Sequence, residues 1–232
     1  MNTLKFYMVT FFIICSVPYV CNAQIDYNQR NTQASLDVMQ YSIKNNHNSN
    51  KNAKGSPFIN ETFEVLKFKK FGNKVFSGRY DANLGEMQIR RENDTIALNA
   101  NENFEITFVS SNKTYKTLSY IDNDGISKRG FLVVLNETDS IALLKEEVIK
   151  FHEEKPSTNG YDKAKPAEYK RVKDTYYYKI GEHVSVLPQK RKEFTKLFPE
   201  HSRKLEVFIK KNKISLKKED DLISLFKHIG TL

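Results

Sequence analysis

Residues 130–135 read Gly-Phe-Leu-Val-Val-Leu. Outside the first 23 residues no other apolar run in the chain is as long. The run is too short for a buried helix, and it is aromatic and β-branched behind a glycine. It predicts a strand covered on both faces, around which the rest of the chain is arranged.

Working outward, the stretches on either side alternate. Phe63, Val65 and Phe68 stand out within 62–70, and Val75 to Tyr80 and Glu86 to Arg91 flank a turn at 81–85. Thr95 to Leu98 is short, and Phe104, Ile106 and Phe108 alternate with Glu105 and Thr107, the period of a half-buried strand. Tyr115 to Ile121 runs into Asp122-Asn123-Asp124-Gly125, a hairpin signal leading back to the starting run. Ile141 to Leu144, Val148 to Phe151, Arg171 to Ile180 and Val184 to Leu187 read as further strands. Short, regularly spaced strands of this kind predict an antiparallel meander, curled into a barrel or folded as a sandwich. The charged stretch 153–170, with Pro156, Gly160 and Pro166, reads as a long loop.

After Pro188 the period changes. Phe194, Leu197 and Phe198 sit three and four apart, as do Leu205, Phe208 and Ile209, and Leu222, Leu225, Phe226 and Ile229. These are amphipathic helices whose apolar stripe must pack on something, and the sheet is the expected surface. Ser215 reads as an N-cap, and Glu219, Asp220 and Asp221 suit the first turn of the last helix. The fold class expected is α+β, an antiparallel β domain over 55–187 with a helical segment over 188–232 docked on it.

Ahead of that lies a different kind of sequence. Residues 1–23 have the form of a secretory signal peptide: Lys5, an apolar stretch from Phe6 to Val17, and Cys21-Asn22-Ala23 before a cut at Gln24. The apolar stretch falls short of the roughly 20 residues a spanning helix needs. Residues 24–54 are polar and asparagine-rich and read as a disordered leader. Both cysteines, Cys15 and Cys21, fall within residues 1–23. The processed chain is therefore expected to hold no disulfide, to be exported to the periplasm or beyond, and to rest on its core alone.

Four stretches carry a resemblance: Gly-Ser-Pro-Phe-Ile-Asn-Glu (55–61), Gly-Arg-Tyr-Asp-Ala (78–82), Gly-Tyr-Asp-Lys-Ala-Lys-Pro-Ala-Glu (160–168) and Leu-Pro-Gln-Lys-Arg-Lys-Glu-Phe (187–194). They resemble a flavobacterial-type group of exported proteins of the Bacteroidota, over most of the chain after residue 55. The resemblance implies export from such a bacterium. It transfers no activity and no catalytic residue.

The chain carries a formal net charge of +9. From Gln189 to Leu232 it has 12 lysines and arginines against 6 carboxylates. Lys190, Arg191, Lys192, Lys210 and Lys211 are candidates for contact with an anionic surface. A solvated outer helix face accounts for the same residues. Export argues against nucleic acid as the partner and for an envelope component or polysaccharide. No two of the five histidines, His47, His152, His183, His201 and His228, have the spacing of a helical zinc site, and no metal or cofactor is expected. No nucleophile motif is present, and Glu146-Glu147 reads as part of a charged, solvated run. Arg79, Tyr80, Tyr176 and Tyr178 are candidate ligand-binding residues. Tyr176 and Tyr178 share one strand face and would line a cavity if that face closes inward; aromatic core packing explains them equally.

The functional expectation is an exported, non-enzymatic binding or structural protein of the periplasm or cell envelope. The alternatives are a carboxylate-based envelope hydrolase beside the 153–170 loop, through Tyr161, Asp162 and Glu168, and a secreted factor adsorbing to anionic surfaces by its basic tail.

Overall fold

The computed structural model describes residues 42–43, 52–72, 74–91, 94–157 and 163–232. The signal-peptide expectation over 1–23, most of the leader, and Tyr161 and Asp162 lie outside the described residues. The described strands are β1 (Ser42–Ile43), β2 (Glu64–Phe68), β3 (Val75–Asp81), β4 (Glu86–Arg91), β5 (Asp94–Leu98), β6 (Glu105–Phe108), β7 (Lys113–Ile121), β8 (Ser127–Glu137), β9 (Ile141–Glu146), β10 (Ile149–His152), β11 (Glu168–Arg171), β12 (Thr175–Ile180) and β13 (His183–Val186). Three α-helices follow: α1 (Arg191–Thr195), α2 (Ser202–Lys211) and α3 (Glu219–Ile229).

The fold is α+β, and the sheet is a closed five-stranded barrel with a curled arm. β7, β8, β9, β12 and β13 form the ring, in that order. The arm leaves β7 as β6, β2, β3, β4, β5 and β1. Neighbours pair antiparallel, as a meander requires, except where the ring shuts: β13 meets β7 parallel, through the pair Ser185 and Ile121. β10 and β11 form a separate two-stranded ribbon.

The starting run sits where both cores need it. Phe131 and Val133 of β8 face the arm's core, among Phe68, Tyr80, Ile89 and Ile106. Leu132 and Val134 face the barrel interior, with Leu144, Tyr177 and Val184. Two-sided burial is why that run is uninterrupted. After Val134 the register with β9 slips by one residue, so that Asn136 stands opposite Leu143. Leu135, the extra residue, is packed against both the arm core and the helical layer. A bulge of this kind bends its strand.

The hairpin expected at 122–125 is present. The Asp122 carboxylate accepts from the backbone N–H of Asp124 and of Ile126, both at 2.9 Å. Gly125 takes the left-handed φ of 77° that the turn demands.

The helices cover the outer face of β9 and β12. Ile141, Leu143 and Tyr178 from the barrel pack with Phe194, Leu205, Leu222 and Phe226. Ser215 does not cap α3. Its cap position is Lys218, with no side-chain bond, and the Asp221 carboxylate instead reaches back to accept from the Ser215 N–H at 2.8 Å. Glu219, Asp220 and Asp221 do occupy the first turn, where the helix dipole favours them.

Two stretches pair where a loop and a disordered leader were expected. Residues 168–171 are strand β11, and the Tyr169 N–H donates to the Lys54 carbonyl at 2.8 Å. Ser42 and Ile43 pair with Ala97 and Ile96. Both are long-range pairings, so nothing in the local pattern of these short stretches announces them.

Gly78 marks the tightest point of the arm. A Cβ there would lie 2.3 Å from the Leu66 Cδ2 and 2.8 Å from the Gln88 carbonyl oxygen. The carbonyl belongs to a paired strand and cannot move aside cheaply. Gly78→Ala is expected to cost about 2 kcal/mol by overpacking, measured as a lower urea midpoint with an unchanged slope.

Candidate functional site: a basic cleft where the sheet forks

Strand β7 has three partners. One edge is zipped to β8 from Thr114 to Ile121. The other edge pairs with β6 from Lys113 to Lys116, and with β13 only at Ile121. The Thr117 N–H still donates to the Phe104 carbonyl at 3.0 Å. Beyond it β6 and β13 diverge, because one belongs to the arm and the other to the ring. Alternation along β7 then aims the Ser119 N–H and C=O into the gap.

The gap is a cleft of about 530 Å³. Five cations line it, Lys69, Lys70, Lys116, Arg129 and Lys179, against two carboxylates, Glu105 and Glu182. Its floor is Leu118, backed by Phe104 and Val184 from the two cores. Lys69 lies 3.1 Å from Glu105, and Lys70 lies 3.6 Å from Glu102. Lys116 is 2.5 Å from Glu137 and 3.4 Å from Glu105. Burial opposes the Lys116 charge, but the two carboxylates outweigh it and raise the pKa above the ordinary lysine value. Lys179 reaches Glu182 only at 4.0 Å.

Arg129 differs from these four. Its Nε donates to the Ala100 carbonyl at 2.5 Å, its Nη1 to the Ser119 hydroxyl at 3.2 Å, and its Nη2 to the Asn103 side-chain oxygen. All three acceptors are neutral, and among the described residues no carboxylate pairs with the guanidinium they hold.

Two further carboxylates organise the interior, side by side on the chain and on opposite faces. Glu146 points into the barrel mouth, where the hydroxyls of Tyr120 and Tyr177 both donate to it at 2.8 Å. Burial, together with the neighbouring Glu146 charge, pushes both tyrosine pKa values far up, so both hydroxyls stay protonated and donate. Glu147 is 3% exposed. It accepts from the Tyr115 hydroxyl at 2.5 Å, from Lys113 Nζ at 3.2 Å and from Arg171 Nη2 at 3.0 Å, with Lys145 Nζ at 3.7 Å. Lys145 in turn lies 2.9 Å from Glu219 at the start of α3, and the Tyr176 hydroxyl donates to the same carboxylate at 3.2 Å. Burial and the Glu219 charge raise the Tyr176 pKa to about 12. The expectation of a solvated Glu146-Glu147 run therefore fails. Strand alternation sends one carboxylate inward and the chain's exit from β9 buries the other among cations, neither of which composition reveals.

The candidate ligand residues do not come together. Tyr80 is buried in the arm core beside Tyr115, with ring centroids 4.8 Å apart. Arg79, on the opposite face of β3, lies 3.4 Å over the Phe58 ring and donates to Gln88 at 3.0 Å. Tyr176 and Tyr178 do share a face, but it is the outer one, under the helices. It is Tyr177 that lines the interior, which side chains fill. Lys190, Arg191, Lys192, Lys210 and Lys211 are exposed on the outer helical faces. Glu168 is half-buried in β11. Among the described residues no group of three His, Cys, Asp or Glu side chains is placed to hold a metal ion, and no helix is long and apolar enough to cross a membrane. Sequence reading passed over Arg129 and the cleft. The lysine spacings are unremarkable, and the one available signal was the cationic pair Lys128-Arg129 opening a strand.

The chain matches no protein-family model, no curated protein and no solved structure.

Glu147 ties stability to pH on the acid side. Burial alone would raise its pKa, but the Tyr115 hydroxyl, Lys113, Arg171 and Lys145 together hold it below the ordinary carboxylate value. A depressed folded-state pKa contributes stability that is present above the unfolded value, about 4.3, and is lost as the pH falls through the folded value. Glu147→Gln leaves three cations around a neutral amide. It is expected to cost about 3 kcal/mol at pH 7 and to flatten the acid limb of the stability curve, measured by urea unfolding between pH 7 and pH 3.

Proposed function

We propose that this chain is an exported, non-enzymatic binding protein of the bacterial periplasm or cell envelope, and that the fork cleft holds its ligand. The observation that carries the reading is the cleft itself. Its volume, about 530 Å³, lies in the range of ligand sites. Its back is built on strands that belong to two cores, β6, β7, β8, β12 and β13, while Lys69, Lys70, Asn103, Phe104 and Glu182 reach it from the turns and loops between strands.

The disposition of the carboxylates favours binding over catalysis. Acid–base chemistry needs a carboxyl group with a perturbed pKa within reach of substrate. Glu147 has the burial, but its oxygens are taken by Tyr115, Lys113 and Arg171. Glu146 is taken by two tyrosines. Neither lines the cleft. Of the two carboxylates that do, Glu105 is paired with Lys69 and Lys116, and Glu182 stands fully exposed at the rim, 4.0 Å from Lys179.

Export rests on the sequence: Lys5, the apolar stretch 6–17 and the small residues before Gln24 support it, as does the resemblance to exported proteins of the Bacteroidota. Intact-mass measurement of the protein released from the periplasm is expected to give a chain beginning at Gln24; a mass retaining residues 1–23 counts against the localisation. Titration of the processed chain with a panel of neutral and charged oligosaccharides is expected to show saturable binding, with every ligand recovered unchanged. Turnover that survives purification, or a panel with no binder, would overturn the reading.

A further inference from the structure

We propose that the cleft is specific for an acidic oligosaccharide, with Arg129 as the anchor of a sugar carboxylate; this rests on the cleft being the binding site.

A guanidinium has five N–H donors in one plane. Ala100, Ser119 and Asn103 take three of those on Arg129. Two remain, one on each Nη nitrogen, along with the full positive charge. Such a fork matches the two oxygens of a carboxylate, and the three fixed contacts have already removed most of the side chain's rotational freedom.

The surrounding lysines extend the site rather than compete with it. Lys69 and Lys70 have side chains 73% and 54% exposed, and their carboxylate partners are themselves partly exposed. Pairs in such solvent are worth little and exchange readily for a ligand's acid group. Lys179 barely touches Glu182, whose side chain is fully exposed. Cations spread along a cleft suit a ligand bearing a carboxylate on successive units, whereas a lone small anion would engage Arg129 and leave the rest idle.

The floor argues for a sugar. Leu118 is half-buried, a modest apolar surface of the kind a pyranose ring covers with its C–H face. Polar groups stand beside it with capacity to spare. The Ser119 hydroxyl and the Asn103 side-chain oxygen accept from Arg129, which leaves the Ser119 proton and the Asn103 NH2 without an acceptor among the described residues, and the Ser119 backbone faces the gap. Thr117 offers nothing more: its hydroxyl donates to the Glu102 carbonyl at 2.6 Å and accepts from the Phe104 N–H at 2.7 Å.

The test is calorimetric titration of the processed chain at low salt with hexagalacturonate, its neutral methyl ester and inorganic phosphate. Hexagalacturonate is expected to bind saturably and more weakly as salt rises, with the ester and phosphate each at least tenfold weaker. Arg129→Gln is expected to weaken hexagalacturonate at least tenfold with an unchanged melting temperature. Should that variant melt early, the double variant Lys69→Gln/Lys70→Gln, confined to exposed side chains, decides instead, with a threefold or greater loss expected. Equal binding of acid and ester overturns the acidic specificity and leaves the binding reading standing. Phosphate binding as tightly as the hexamer assigns the site to free phosphate and overturns the sugar. Unchanged affinity in properly folded variants moves the contact off the cleft and overturns the inference. No binding of any charged or neutral oligosaccharide takes the proposed function down with it.

Discussion

Strand β8 belongs to two cores at once. Its Phe131 and Val133 close the arm, and its Leu132 and Val134 fill the barrel. A polar residue at Phe131, Leu132 or Val133 would lie buried without a partner, at a cost of about 1–3 kcal/mol or more. The β7–β8 hairpin is therefore the shared wall against which the arm curls on one side and the ring closes on the other. The helical layer adds a third packed face, over β9 and β12, and Leu135 at the bulge reaches it while still touching the arm core. Three apolar clusters pinned to one hairpin give a chain with no cysteine beyond residue 21 a way to stand without covalent cross-links.

The two glutamates inside this frame are both tied off. Two adjacent glutamates leave β9 in opposite directions, and each meets protonated tyrosines: Tyr120 and Tyr177 for Glu146, Tyr115 for Glu147. Glu147 also gathers cations from β7, β9 and β11, and Lys145 passes the connection to α3 through Glu219. The network spans the ring, the ribbon and the helices. Buried charge adds little net stability by itself, since desolvation offsets most of the attraction. Its effect is positional: an element that shifts leaves a charge stranded.

What the sequence disclosed follows from how far each interaction reaches along the chain. Two-sided burial of residues 130–135, the 122–125 turn and the helical stripes after Pro188 are written in runs of fewer than a dozen residues. Tyr176 and Tyr178 were correctly placed on one face, yet alternation alone does not say which face looks inward; the docking of α1–α3 settles that. β11 is polar and short and exists because β10 and Lys54 hold it. Glu147 looks like any surface glutamate until Lys113 and Arg171, distant in sequence, surround it. Arg129 and the cleft follow from the divergence of β6 and β13, which depends on the whole topology.

The ring shuts on a single parallel pair, Ser185 with Ile121, whereas its other joints are antiparallel ladders of four to eight residue pairs. That seam is the place where the barrel can breathe at least cost, and it adjoins the cleft, whose walls include Ser119 on one side of it and Val184 on the other. Anything lodged across both walls acts as a clasp on the seam. Occupancy and closure are then linked: a filled cleft slows the opening of the barrel, and a barrel that has opened has lost the cleft.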